Sequence, residues 1–138
     1  MKYNERIDFP ANGESRWAGM ANYLLVSPDG RHRVALRYAG EPPHGDSYHA
    51  VEIDGAMLPG FAWGCDFAFT PDSRYLAASW MAELYGRRTI IIDIEKRLFF
   101  VLPLYIRKFR FIWPVLQGVG GAQSLSFRFD GSEVWSGF

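Results

Sequence analysis

Apolar and polar residues alternate along most of this chain. From Arg31 to Tyr38 the polar side carries Arg31, Arg33 and Arg37, while His32, Val34, Leu36 and Tyr38 face the other way. Cys65, Phe67 and Phe69 alternate with Asp66, Ala68 and Thr70, and Leu125, Phe127 and Phe129 with Ser124, Ser126 and Arg128. A period of two puts one face of each segment on a core and the other toward water, as in antiparallel sheets. Thr89–Ile92 and Leu98–Leu102 are unbroken β-branched or aromatic runs, which predicts two strands buried on both faces. Asp93 to Arg97 between them reads as a hairpin turn. No segment sustains helical spacing. A turn or two near Glu14–Asn22 or Met81–Tyr85 are the best helical candidates, and either reads equally well as loop.

The same corner recurs three times: Val26-Ser27-Pro28-Asp29-Gly30-Arg31, Phe69-Thr70-Pro71-Asp72-Ser73-Arg74 and Phe127-Arg128-Phe129-Asp130-Gly131-Ser132. Proline presets φ, aspartate caps its own backbone two residues on, and glycine accepts positive φ. Each corner is followed by a second strand (Val34–Tyr38, Tyr75–Trp80, Glu133–Phe138). Ile53-Asp54-Gly55 and Ile92-Asp93-Ile94 occupy comparable later places. Asp29 and Asp72 stand 43 residues apart, about one four-stranded blade, and Asp72 and Asp130 stand 58 apart, which predicts an insertion over Leu104–Gln123.

These corners resemble the repeats of TolB-type and WD40-type β-propellers. The resemblance implies antiparallel blades that offer a surface to proteins or small ligands. Only about two and a half units are present, whereas a ring takes about four blades or more. The expected architecture is therefore all-β in one domain over residues 1–138, an incomplete propeller or a curled sandwich or half-barrel. Residues 1–20 are expected to be an irregular N-terminal segment. Open sheet edges would pair with a partner or with a second copy in a homodimer.

Composition narrows the function. Of the 138 residues, 49% are hydrophobic, and fifteen Lys and Arg balance fifteen Asp and Glu. No overall field draws in nucleic acid or anionic membrane. The polar stretch Met1–Gly19 lacks the apolar core of a signal peptide, so a cytoplasmic address is expected. Cys65 is the lone cysteine, read as a small core residue.

Chemistry-bearing clusters are sparse. His44, Asp46 and His49 fall within six residues and could ligate a divalent ion, but their spacing matches no metal signature and a polar hairpin loop explains them. No metal or cofactor is assigned. His32 reads as a hydrogen-bonded core histidine, and the three corner aspartates read as turn caps rather than a catalytic dyad. Gln117–Ala122 lacks the lysine of a phosphate-binding loop and reads as a bulged connection. Ser124 and Ser126 stand outside any nucleophile elbow.

Arg107, Lys108 and Arg110 interleave with Phe109, Phe111 and Trp113. A solvated cationic strand edge is the plain explanation, and a docking patch for an acidic protein surface or for RNA the functional one. The functional expectation is a small protein-binding module, most concretely an immunity protein that occludes a cognate toxin or enzyme. Its contacts would be Arg107, Lys108, Arg110 and Trp113, with Glu41, His44 and Asp46 from the loop before Tyr48. Two other readings stand beside it: a metal-dependent enzyme or small-ligand binder built on His44, Asp46 and His49, and a propeller fragment that assembles with itself.

Overall fold

The computed structural model describes residues 4–42 and 45–138, and every regular element in them is a strand. Two of the three corners form as their composition predicts. The first joins β3 (Tyr23–Val26) to β4 (Arg33–Gly40), after β1 (Glu5–Asp8) and β2 (Ser15–Trp17). Asp29 Oδ1 accepts the Arg31 N–H at 2.9 Å and the Ser27 hydroxyl at 2.8 Å, and that hydroxyl oxygen accepts the His32 N–H at 3.1 Å. The second joins β7 (Phe61–Phe69) to β8 (Tyr75–Met81), after β5 (Tyr48–Ile53) and β6 (Ala56–Met57). There Asp72 Oδ1 accepts the Arg74 N–H and the Thr70 hydroxyl, whose oxygen accepts the Tyr75 N–H. Gly30 and Ser73 hold the same left-handed position, with φ of 77° and 68°. The Ser73 hydroxyl also accepts the Asp29 N–H at 2.9 Å, locking the two corners together.

The third corner departs from the expected hairpin. Asp130 Oδ1 still accepts the Ser132 N–H, but Arg128 stands where Ser27 and Thr70 supply a hydroxyl. Nothing clamps the outgoing strand to the incoming one. Instead the Glu133 carboxylate caps the Asp130 and Gly131 N–H groups. The chain leaves β13 (Ser126–Arg128) for another sheet, where β14 (Ser136–Gly137) pairs with β10 (Leu98–Val101).

The strands form two sheets. In the larger, mixed sheet of 11 strands, β3–β4–β5 and β7–β8–β9–β10 are antiparallel meanders, with β9 spanning Arg88–Asp93. Their strands pair with each other where Tyr48 and His49 of β5 meet Trp63 and Ala62 of β7. β1 extends one end in parallel along β3, β14 ends the other, and β2 and β6 pair with β7 and β5 off this path. The smaller sheet is β11 (Phe109–Ile112), β12 (Val115–Gly118) and β13. Asp54 and Asp93 hold comparable places, Asp54 just after β5 where the chain turns into β6 and Asp93 at the end of β9 before β10. At the first, however, the Asp54 N–H bonds the Arg33 carbonyl, and at the second the Ile94 N–H bonds the Arg74 carbonyl.

The β7–β10 meander is a middle layer with a core on each face. Leu25, Val34, Leu36, Val51 and Ile53 pack on one side against Phe67, Phe69, Leu76, Ile90 and Ile92. On the other, Ala68, Ala77 and Ile91 meet Phe109, Phe111, Leu116 and Phe129 of the small sheet. Thr89–Ile92 is accordingly buried throughout and the Asp93–Arg97 turn forms, whereas Leu98–Val101, also expected to be buried on both faces, is half-buried.

Four expectations need correcting. Ala68 and Thr70, assigned to a solvent face, are buried, because β11–β13 lie over that side. Residues 104–123 contain β11 and β12, so the extra length builds a layer. Residues 1–20 contain β1 and β2, and neither helical candidate forms: the first contributes β2 and the second ends β8.

The corner clamp is testable at Thr70, which is buried. Thr70→Val keeps the shape but leaves the Tyr75 N–H without its acceptor, and should cost about 1–3 kcal/mol. Urea unfolding followed by tryptophan fluorescence measures this, and an unchanged midpoint would refute the clamp.

Candidate functional site

The face of β8 that looks toward the small sheet carries Tyr75, Ala77 and Ser79. Ala77 lies beneath that sheet, whereas Tyr75 and Ser79 reach its two ends, about 13 Å apart along the strand. Each borders a recess.

At the Ser79 end the pairing of β7 with β8 jumps from Ala62↔Trp80 to Phe67↔Ala78, so Trp63, Gly64, Cys65 and Asp66 together oppose Ser79. Such bulges re-aim side chains. Gly64, at φ 145°, is required here because a Cβ would lie 2.8 Å from Ser79 Cβ. The bulge is fastened by the Ala18 N–H on the Cys65 carbonyl (2.7 Å), the Gly64 N–H on Ser47, and the Trp63 indole N–H on the Asp46 carbonyl (3.0 Å).

The resulting cleft, about 170 Å³, is lined by Trp17, Asp46, Cys65, Asp66, Tyr105, Arg107 and Lys108. Asp46 is held by Arg87 at 3.3 Å, and that guanidinium lies 4.0 Å over the Trp63 ring. Arg107 and Lys108 have no ion-pair partner among the described residues. Burial raises the Asp66 carboxyl above its ordinary range, an effect that Lys108 opposes, Asp46 reinforces and Arg107 opposes. Burial also pushes the Cys65 thiol up, with Asp46 adding to it, so the sulfur stays protonated and poorly nucleophilic at neutral pH. Cys65 is thus half-buried at a charged cleft, not the small core residue expected.

At the Tyr75 end a recess of about 350 Å³ is walled by Tyr75, Trp113, Phe129 and Trp135, with Arg74, Asp93, Lys96 and Glu133 around it. Tyr75 stacks on Trp113 at 4.1 Å and 15°, and Trp113 on Phe129 at 5.0 Å and 24°. Trp135 is half-buried in this wall, whereas Trp80 is buried and donates to the Pro59 carbonyl.

The structure divides the expected contact residues. Arg107, Lys108 and Asp46 meet at the cleft. Trp113 belongs to the aromatic recess, and Arg110 is tied to the Asn12 carbonyl at 3.2 Å. Glu41 is exposed, and His44 lies outside the described residues. Phe109 and Phe111 are buried in the core against the middle layer. The metal-loop reading loses His49, which is buried with its ring nitrogen 2.9 Å from the Ala21 carbonyl and its basicity lowered by burial. Among the described residues no cluster of three metal-ligating side chains forms. His32 is hydrogen-bonded as expected, with its ring nitrogen 2.7 Å from Asp54, but it stands half-buried just before β4 and not in the core. Trp17, Asp66 and Tyr105 were not singled out from sequence, because the bulge that gathers them has no local signature.

No protein-family model, curated protein or solved structure matches this chain. Among the described residues no helix is long and apolar enough to cross a membrane.

Asp66 gives the cleft a pH signature. Its folded-state pKa lies above the unfolded one, so stability falls as pH rises past the ordinary carboxylate range and stays lower beyond the folded pKa. Asp66→Asn should therefore raise the melting temperature at pH 7, and the gain should vanish in acid below that range. Thermal melts across pH check this, and a loss of stability at pH 7 would contradict it.

Proposed function

We propose that this protein is a cytoplasmic protein-binding module, most concretely an immunity-type inhibitor that covers the working surface of a toxin or enzyme. The observation that carries the reading is the convergence at the Ser79 cleft. Arg107 and Lys108, which precede β11, and Asp46, from the loop before β5, are far apart in sequence yet line one recess. Neither cation forms an ion pair among the described residues, and Asp66 and Asp46 in the same recess offset their charge only in part. Trp17 stands on the rim with 65% of its surface exposed, a residue type that concentrates at the energetic centres of interfaces.

Unpaired cations beside an exposed indole suit a partner that brings carboxylates. Charge complementarity speeds encounter and fixes register, while the indole excludes water from the contact. The protonated Cys65 and the paired Asp46 favour docking over nucleophilic chemistry at this site. The kinship with propeller repeats belongs to the same reading. It is supported by the matching clamps of the first two corners and by the two antiparallel meanders they open.

The test is capture of a stoichiometric acidic partner from the native host, followed by binding kinetics. Arg107→Glu with Lys108→Glu should slow association by roughly ten- to a hundredfold at low salt and flatten its salt dependence. A monomer that captures nothing, or a partner indifferent to the double charge reversal, would overturn the proposal.

A further inference from the structure

The recess at the Tyr75 end has chemistry unlike that of the charged cleft. Its wall is a curved run of rings: Tyr75 on Trp113, Trp113 on Phe129, and Phe129 on Trp135 at 6.0 Å and 27°. Stacking turns ring faces toward one another and Phe129 is buried, so the rings left to the recess are Trp113, with 38% of its surface exposed, and the half-buried Tyr75 and Trp135.

The hydrogen-bonding groups around the wall are one-sided. Trp63 and Trp80 each donate the indole N–H to a backbone carbonyl, of Asp46 and Pro59. The indole N–H groups of Trp113 and Trp135 and the Tyr75 hydroxyl have no hydrogen-bond partner among the described residues. The Lys96 ammonium is likewise without an ion-pair partner there. The carboxylates are engaged. Asp93 holds Arg74 at 3.0 Å and caps the Lys96 N–H, and both oxygens of Glu133 cap the Asp130 corner. The recess therefore presents aromatic rings and unpartnered donors, with both carboxylates already accepting hydrogen bonds.

We infer that this recess binds an extended, proline-rich peptide segment. Proline has no backbone N–H, so a polyproline II stretch offers carbonyl acceptors without backbone donors of its own. Its rings are flat enough to lie on indole and phenol faces, and its backbone carries no internal hydrogen bonds that must be broken first. Other occupants fit the inventory less well. A cationic ligand would meet Lys96 and Arg74 with both carboxylates occupied. A sugar brings hydroxyl donors that find no free carboxylate. Single-stranded nucleic acid needs a basic track for its phosphates, and Lys96 is the one cation lining the recess without a partner among the described residues. The site is separate from the Arg107 and Lys108 cleft and does not depend on the function proposed for it.

Titration with an oligoproline peptide, followed by tryptophan fluorescence and calorimetry, tests this directly. A glycine–serine peptide of equal length, a cello-oligosaccharide and oligothymidylate serve as the other arms. Saturable binding of oligoproline alone is expected. Trp113→Ala should weaken it by at least about tenfold. Trp113→Phe keeps a ring but removes the N–H, and should weaken it by a smaller factor. Arg107→Glu with Lys108→Glu should leave it unchanged, which separates this site from the charged cleft. Folding of each variant is verified by its urea midpoint, and Trp135→Phe is the substitute if Trp113→Ala unfolds. Absence of saturation at millimolar oligoproline, equal affinity in folded Trp113 and Trp135 variants, or preference for the sugar or oligonucleotide would overturn the inference.

Discussion

Three adjacent isoleucines, Ile90, Ile91 and Ile92, sit in one strand beside Leu76, Ala77 and Ala78 in the next. Successive side chains of a strand point to opposite faces, so this pair of strands cannot be satisfied by one cover. Burying each such aliphatic side chain is worth about 1.5–3 kcal/mol relative to leaving it in water. Removing the layer over the first side would expose four of these six residues, and removing the layer over the second side the other two. The β3–β5 meander covers the side of Ile90 and Ile92, and the small sheet covers the side of Ile91. The layered build of the molecule follows from this requirement, and so does the position of both recesses, which open where the small sheet ends and β8 continues.

The cover on the second side also explains the path of the chain. After β10 the segment from residue 102 crosses the middle layer: Leu102 and Ile106 are buried in that second core, and the Thr89 hydroxyl accepts the Ile106 N–H at 2.9 Å. The outer edge of β11 is then met by the N-terminal segment, where the Phe111 N–H bonds the Gly13 carbonyl and the Ser15 hydroxyl bonds the Phe109 carbonyl. Gly13 is needed at that contact, since a Cβ there would collide with the Phe111 carbonyl. Strand β2 on one side and β14 on the other therefore tie the small sheet back to the large one.

Much of the fold was legible because its signals are local. Alternation marked β4, β7 and β13, the Ile run marked β9, and the clamp residues Ser27, Asp29, Thr70 and Asp72 marked two corners at the right places. Failures came where long-range packing decided the outcome. Ala68 and Thr70 look like a solvent face in sequence and are buried only because a distant segment covers them. The third corner shares Asp130 with its relatives but has Arg128 for the hydroxyl residue and Phe129 for the proline, and there the chain leaves for another sheet. Of the candidate site, Arg107, Lys108 and Asp46 were legible as charged or aromatic-flanked positions. Their meeting with Asp66 and Tyr105 was not, because a bulge of four residues against Ser79 leaves no periodic trace.

The two recesses differ for a reason rooted in β7 and β8. Near Ser79 the bulge lifts backbone out of the ladder and brings Asp66 and Cys65 to the surface, so that end is polar and its charges are set by loops. Near Tyr75 the ladder is regular up to the corner: Phe69 pairs with Leu76, Tyr75 with Asp93. There the recess is shaped by rings instead. The Arg74–Asp93 pair closes its floor, lying beside the corner that Thr70 and Asp72 clamp. An intact corner is thus a condition for the aromatic wall, whereas the charged cleft depends on the irregularity at the other end. One strand supports two kinds of surface because pairing is regular at one of its ends and broken at the other.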